Sequence, residues 1–335
     1  MQAAILKGFA LSTYLSIEDL EIPKIESDEV LVQVKATSIN PVDWQTRSIV
    51  SFVPEKLRVK PLILGHDFSG LVVKTGSGVT HFKVGDAVFG TNGLSIDACF
   101  QRKVKTGTYA ELTAVKVSKI AHKPKSINFN QAAALPLVSL TALQGLKKAQ
   151  DLPGKHILVI GGSGGVGSMV VQIAKARDAI VTAVCSTKNI DFVKSLGADK
   201  IIDYCKEDYL NKQAAYDVVF NTIGHQSVSS CSNLLKTHGV FIDCAAPSFT
   251  GAVGLTRRYL SFSTLKNRFF LYQASSTDLR EIAELVDAGK LMPEVGKLLT
   301  LKDIEEGHRL SKAGRTVGKL VVSLPNSPQR NNGLR

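Results

Sequence analysis

Cysteine is scarce in this chain and poorly placed for structural work. There are five in 335 residues, at 99, 185, 205, 231 and 244, with no C-x-x-C pair. The odd count and wide scatter argue against a disulfide framework or a four-thiolate zinc lobe, and free thiols in a reducing compartment are expected. Cys185 and Cys244 close apolar runs and read as packing residues rather than nucleophiles. No apolar run reaches the ~20 residues that a membrane span requires, so no integral membrane segment is expected. The opening stretch, MQAAILKGFALSTYL, lacks the charged head, apolar core and cleavage site of a secretory leader, and the expected location is cytoplasmic. Acidic residues are outnumbered, 29 against 41, for a net charge of +12. The basic residues are dispersed, however. Short clusters at 102–105, 257–258 and 266–268 form no tract, and no nucleic-acid motif is present. A basic surface with an anion-binding cleft is favoured over a nucleic-acid partner.

What the chain has is a strand, a glycine cluster and a helix in immediate succession. Ile157–Ile160 is apolar. Val166, Met169, Val170, Ile173 and Ala174 then recur at the spacing of one helix face. Between them Gly162, Gly164 and Gly167 fit G-x-G-x-x-G. Glycines there allow a sharp turn, close approach of backbone to a pyrophosphate and tight helix–strand packing. The free N–H groups and dipole of the helix N-terminus favour phosphate, so Gly162, Ser163, Gly164, Gly165 and Val166 are candidate cofactor contacts. The next apolar run, Ala179–Cys185, ends without the acid that would bond a ribose 2′-hydroxyl. Cys185, Ser186, Thr187 and Lys188 follow instead. Small hydroxyls and a lysine suit a 2′-phosphate, which predicts NADPH over NADH; the alternative is that Ser186 caps the following helix and Lys188 is solvated.

Helical text at Asn189–Leu196 stops at Gly197, and short strands are predicted at Lys200–Asp203, Ala215–Asn221 and Val240–Cys244. This alternation predicts a parallel, doubly wound α/β sheet with ligands at its C-terminal strand ends. Tyr204, Asn221, Thr222, Ile223, Cys244 and Ala245 then lie on the cofactor side. Residues 1–125 differ. Short β-like runs at Glu29–Lys35, Gly70–Lys74 and Ala87–Phe89, separated by turn residues, predict a β-rich domain. Lys123–Ser126 reads as a linker, Gly318–Leu324 as a strand returning to that domain, and residues 326–335 as a fraying tail.

In order along the chain, SINPVD (38–43), GHDFSGLVV (65–73), VGDAVFG (84–90), GTYAE (107–111), AAALPLVSLTA (132–142), the glycine cluster (161–167) and GRTVGK (314–319) resemble the medium-chain dehydrogenase/reductase superfamily, and within it the zinc-free quinone oxidoreductase branch. The resemblance implies a GroES-like catalytic domain (1–125, completed by 291–325), a Rossmann NADPH-binding domain (126–290) and a cleft between them. It also implies NADPH-dependent hydride transfer to a quinone, with reduction of α,β-unsaturated carbonyls as the alternative. A non-enzymatic NADPH-binding role is a third reading. The zinc-bearing branch needs a cysteine where Asn40 stands, and His66 alone makes no metal site, so it reads as a hydrogen-bonded structural residue. The family likeness places Asn40 as a positioning group, Asp43 as an orienting group or proton-network member, and Thr141 at the nicotinamide end. Phe270 and Leu271 resemble a backbone clamp on the carboxamide, and Lys319 would reach the cofactor or lie exposed. Turn or capping roles are the alternatives for Asn40, Asp43 and Thr141. Trp44, the sole tryptophan, either lines an acceptor pocket or packs in the core. No tyrosine near it presents itself as an acid. A homodimer is implied by the family.

Overall fold

The computed structural model describes residues 1–54, 56, 61–92, 107–211, 215–224, 226–244, 266–314 and 316–324. In chain order these form strands β1 (Gln2–Lys7), β2 (Tyr14–Asp19) and β3 (Glu29–Ile39), helix α1 (Pro41–Ser51), β4 (Asp67–Thr75), β5 (Ala87–Thr91), β6 (Leu112–Lys116), β7 (Ile120–His122), α2 (Phe129–Ala133) and α3 (Pro136–Lys148). There follow β8 (His156–Ile160), α4 (Gly165–Lys175), β9 (Ile180–Cys185), α5 (Ile190–Ser195), β10 (Lys200–Asp203), β11 (Tyr216–Asn221), α6 (Val228–Cys231), β12 (Leu235–Asp243), β13 (Lys266–Phe269), α7 (Ser276–Asp287), β14 (Val295–Leu299), α8 (Ile304–Ala313) and β15 (Lys319–Ser323).

The chain divides into two compact units. The first holds Met1–Leu137, Ala274–Ala283 and Pro293–Arg335. Its main sheet has the order β14-β15-β3-β4-β5-β7, with β6 also paired to β3. β15 returns to lie antiparallel to β3, Leu320 opposite Ile39. β3 is buried almost throughout, because both its edges are paired and its Val, Leu and Ile side chains join Phe68, Val72, Tyr109 and Leu320 in one core. The unit extends past residue 125 to take in α2. Ser69 Oγ donates to the Phe129 carbonyl at 2.6 Å, and the Leu137 N–H donates to Asp67 Oδ1 at 2.9 Å.

The second unit holds Val138–Gln273 and Glu284–Met292. Its six strands are all parallel, in the order β10-β9-β8-β11-β12-β13. The chain enters at the centre on β8, winds out through β9 and β10, then crosses back to β11. The order therefore reverses between β8 and β11, where doubly wound sheets bind ligands at the strand C-termini. The predicted strands lie where periodicity placed them, with one difference: β12 begins at Leu235 rather than near Val240. Its ladder with β11 is interrupted between the Tyr216–Leu235 and Val218–Val240 pairs. The polar residues Lys236, Thr237 and His238 ride on that irregularity, which hides the strand from an apolar pattern.

Candidate functional site

The glycine turn is built by sterics. The left-handed residue is Gly161, at φ +86°, one position before the G-x-G-x-x-G pattern. A Cβ on Gly167 would sit 2.1 Å from the Gly161 carbonyl oxygen, and one on Gly162 would sit 2.9 Å from Ala183 Cβ, so these two permit close packing. A Cβ on Gly164 would meet nothing nearer than 3.4 Å, which leaves that side open to a ligand. Gly164 is the N-cap of α4 and accepts the first helical bond, from Ser168 N–H at 2.9 Å; the amides before it carry no intrahelical bond. No acid occupies the first turn of α4. A pyrophosphate fits this end of the helix in shape and in charge.

At the ends of β9 and β10 three side-chain donors, on Ser186, Lys188 and Tyr204, have no partner among the described residues. Ser186 occupies an N-cap position, but its hydroxyl makes no capping bond. Among the described residues the Lys188 ammonium has no ion pair, and both Lys188 and Tyr204 are exposed. The single turn Thr187–Asn189 is fixed at both ends. Thr187 Oγ1 donates to Asp203 Oδ2 at 2.6 Å, and Asn189 Nδ2 donates to Ser163 Oγ at 2.9 Å. The Thr187 hydroxyl bond, with the Cys205 N–H and nearby Lys206, holds the Asp203 carboxyl below its ordinary range.

The other strand-end residues divide. Asn221 is fully buried, and its amide is spent on Asp243 Oδ1 (3.1 Å) and the Gln226 carbonyl (3.3 Å). Thr222 Oγ1 donates to the Ile160 carbonyl at 2.7 Å and so braces the glycine turn. These two side chains tie strands together, and the backbone beside them is engaged as well: the Thr222 N–H donates to the Ile160 carbonyl at 3.2 Å, the Ile223 N–H to Asn221 Oδ1 at 3.3 Å, and the Asn221 carbonyl accepts from the Cys244 N–H at 3.3 Å. Burial pushes the Cys244 thiol far above its ordinary range, which makes it a poor nucleophile. Phe270 is buried with Lys148 Nζ 5.3 Å from its ring centroid, whereas Leu271 is exposed. Thr141 is buried in α3. Ala245 lies outside the described residues.

The first unit contains a buried polar network that sequence reasoning only half saw. Asn40 caps α1, with Pro41 at its first position, and the Asn40 N–H donates to Asp43 Oδ2 at 2.8 Å. Asp43 therefore does cap the helix, but the same carboxylate also meets His66 Nδ1 at 2.5 Å and accepts from the Tyr109 hydroxyl at 2.9 Å. Tyr109 in turn lies 3.2 Å from His308 Nε2. Asn40 Nδ2 and Ser38 Oγ donate to Asp67 Oδ2 at 2.8 and 2.9 Å. Lys319 Nζ bonds Asn40 Oδ1 and the Ile39 carbonyl and lies 3.8 Å from Asp67. Lys319 is therefore not an exposed surface lysine: it is buried, with its ammonium held by Asn40, Ile39 and the nearby Asp67 carboxylate. Trp44 is half-buried and donates from Nε1 to Ser311 Oγ at 3.1 Å, tying α1 to α8.

The charges are tuned by burial against pairing. Burial pushes the Asp43 carboxyl up, but His66, His308 and the Asn40 N–H more than reverse it, and the net shift is downward. For Asp67 burial prevails over Lys319 and the net shift is upward. Burial and the neighbouring Asp43 carry the Tyr109 hydroxyl well above its ordinary range, and burial lowers both His308 and Lys319. Tyr109, His308 and Asp67 were missed as site members. Tyr109 and Asp67 stand inside quoted family segments, but Tyr109 meets Asp43 across 66 residues, a distance no local pattern spans. The chain His308–Tyr109–Asp43–His66 is a continuous path of groups able to hold or pass a proton.

A parallel sheet with this glycine turn and a β-rich unit with this network define a medium-chain dehydrogenase/reductase. Residues 26–125 match the alcohol dehydrogenase GroES-like domain and residues 196–322 the zinc-binding dehydrogenase family model. The chain belongs to this superfamily and is an NAD(P)H-dependent oxidoreductase. It is 32% identical to the mitochondrial NAD(P)H oxidoreductase RTN4IP1 of Bos taurus, over 92% of this chain and 85% of that protein. It is 34% identical to the chloroplastic NADPH-dependent alkenal/one oxidoreductase of Arabidopsis thaliana, over 95% of this chain and 79% of that one. The solved quinone oxidoreductase of Coxiella burnetii superposes with a TM-score of 0.80 at 30% identity, covering 96% of this chain and 99% of its own.

Proposed function

We propose that this protein is an NADPH-dependent, zinc-independent reductase of small electron-poor acceptors, quinones first. The observation that carries the cofactor preference is the set of donors Ser186, Lys188 and Tyr204 beside β9 and β10, whose side chains have no partner among the described residues and suit a 2′-phosphate. The bound nicotinamide supplies the hydride. The chain's own part is to hold the pyrophosphate on the α4 N-terminus and the 2′-phosphate on Ser186 and Lys188, with Thr141 toward the nicotinamide end. Asn40 positions polar groups, and Asp43 handles protons through Tyr109, His66 and His308. Zinc independence is supported by chemistry: the Asn40 amide is committed to Asp67 and Lys319, and the N-terminal half of the chain has a single thiol, Cys99, outside the described residues. The quinone reading draws on the Coxiella burnetii structure; the Arabidopsis thaliana relative supports enones as the second reading.

Anaerobic NADPH oxidation against a panel of quinones and enals, repeated with NADH and with a chelator, tests all three parts. Turnover of quinones with NADPH, weak turnover with NADH and no effect of chelation is the expected result. Turnover of enals alone selects the second reading, and chelator-sensitive turnover overturns zinc independence.

A further inference from the structure

NADPH and NADH differ by one group on the adenosine ribose. In NADH-selective sheets an acid at the end of the second strand bonds the free 2′-hydroxyl. β9 ends without one, yet an acid does stand at these strand ends, one strand over. The register pairs Asp203 of β10 with Cys185 of β9, and the Tyr204 N–H donates to the Cys185 carbonyl at 3.1 Å. Asp203 is buried, and both its oxygens are occupied. Oδ2 accepts from Thr187 Oγ1 at 2.6 Å and Oδ1 from the Cys205 N–H at 3.0 Å, with Lys206 Nζ 3.9 Å away. Thr187 opens the single turn whose far end, Asn189, is tied to Ser163 of the glycine turn. Ser186 and Lys188, whose side chains have no partner among the described residues, are carried on that turn.

We propose that Asp203 is a positioning residue that sets cofactor specificity. Through Thr187 it fixes the 186–189 turn as a receptor for a 2′-phosphate, and the Thr187 hydroxyl in return occupies the carboxylate oxygen that would otherwise repel that phosphate. The inference rests on the NADPH reading above and assigns it a source outside the phosphate-binding residues themselves.

The two halves of this arrangement make predictions of opposite sign. Thr187→Val frees a carboxylate oxygen and releases the turn, so discrimination in favour of the 2′-phosphate falls. Asp203→Asn keeps both contacts, because its amide donates to Thr187 Oγ1 while its carbonyl accepts from the Cys205 N–H. It removes the negative charge, so discrimination rises.

The test is calorimetric titration of the full chain with 2′,5′-ADP and with 5′-AMP, which differ only by the 2′-phosphate, without acceptor and without turnover. The expected wild-type result is tighter binding of 2′,5′-ADP. Thr187→Val reduces that ratio about tenfold, Asp203→Asn raises it about threefold, and Thr187→Ser restores it. Both variants moving the ratio the same way, or neither moving it, overturns the inference while the NADPH reading stands. A wild-type chain that does not distinguish the two nucleotides brings down the reading and the inference with it.

Discussion

Around Asp43 and Asp67 in the first unit, nearly every polar atom is matched by another side chain, His308 Nδ1 excepted. At the ends of β9 and β10 in the second unit, Ser186 and Lys188 have no such match among the described residues. Buried polar groups must find partners within the protein, because an unmatched one forfeits its hydration. Exposed ones keep water until a ligand displaces it. The first arrangement spends its polar groups on one another; the second leaves them to water, and in the function proposed above to a ligand. A change in the first should therefore be felt in folding, and a change in the second in affinity.

The largest effect tests the closed network. Lys319→Met leaves the Asp67 carboxylate buried without its cation, and removal of one partner from a buried pair costs about 4 kcal/mol. Denaturant unfolding of the first unit measures it; a loss below 1 kcal/mol would mean that Asp67 is protonated in the native state. Next comes the open site. Lys188→Ala should weaken NADPH binding about tenfold and leave NADH binding and thermal stability unchanged. A fall in stability would show that Lys188 is structural, which would erase the contrast between the units.

The smallest effect is on pH dependence. Burial holds the native His308 below its ordinary value of 6.5, so the unfolded chain binds the proton first. Stability from this residue is present above that value and is lost as pH falls from about 6.5 toward the lower native value. Arg47 reinforces the shift, while Asp43 and Glu305 oppose it. His308→Gln should flatten the stability profile between pH 5 and about 6.5, compared by urea midpoints across that range. An unchanged profile would locate the acid limb in other groups.

Most of the parallel sheet was legible because its strands are local and apolar and its glycine turn is written in seven consecutive residues; β13, KNRF, has no apolar run and reads only as a basic cluster. β12 was legible only from Val240 onward, since its first residues are polar. Ser186 and Lys188 could be singled out because absence of an acid is readable in a strand-end position; that Asp203 stands beside them was not, because register between β9 and β10 is set by tertiary packing. The same limit applies to the first unit. Asn40 and Asp43 lie three apart on one helix cap, whereas Tyr109, His308 on α8 and Lys319 on β15 join them only through tertiary packing. Lys319 reads as part of the returning strand, but its approach to Asn40 and Asp67 follows from the register of β15 against β3, which tertiary packing sets.

That insertion orders events during synthesis. β15 lies between β14 and β3, and Lys319 contacts Asn40 across 279 residues. As the chain leaves the ribosome, β3 and β4 emerge with the Asp67 carboxylate and no lysine to receive it, while all of the second unit's strands are made before residue 319. The second unit can complete its sheet while the first waits for β15, and long-range contacts of this kind are the ones that form slowly. A ribosome stalled short of residue 319 would present the strands of the second unit complete together with an open, edge-exposed sheet, a template for pairing with another chain.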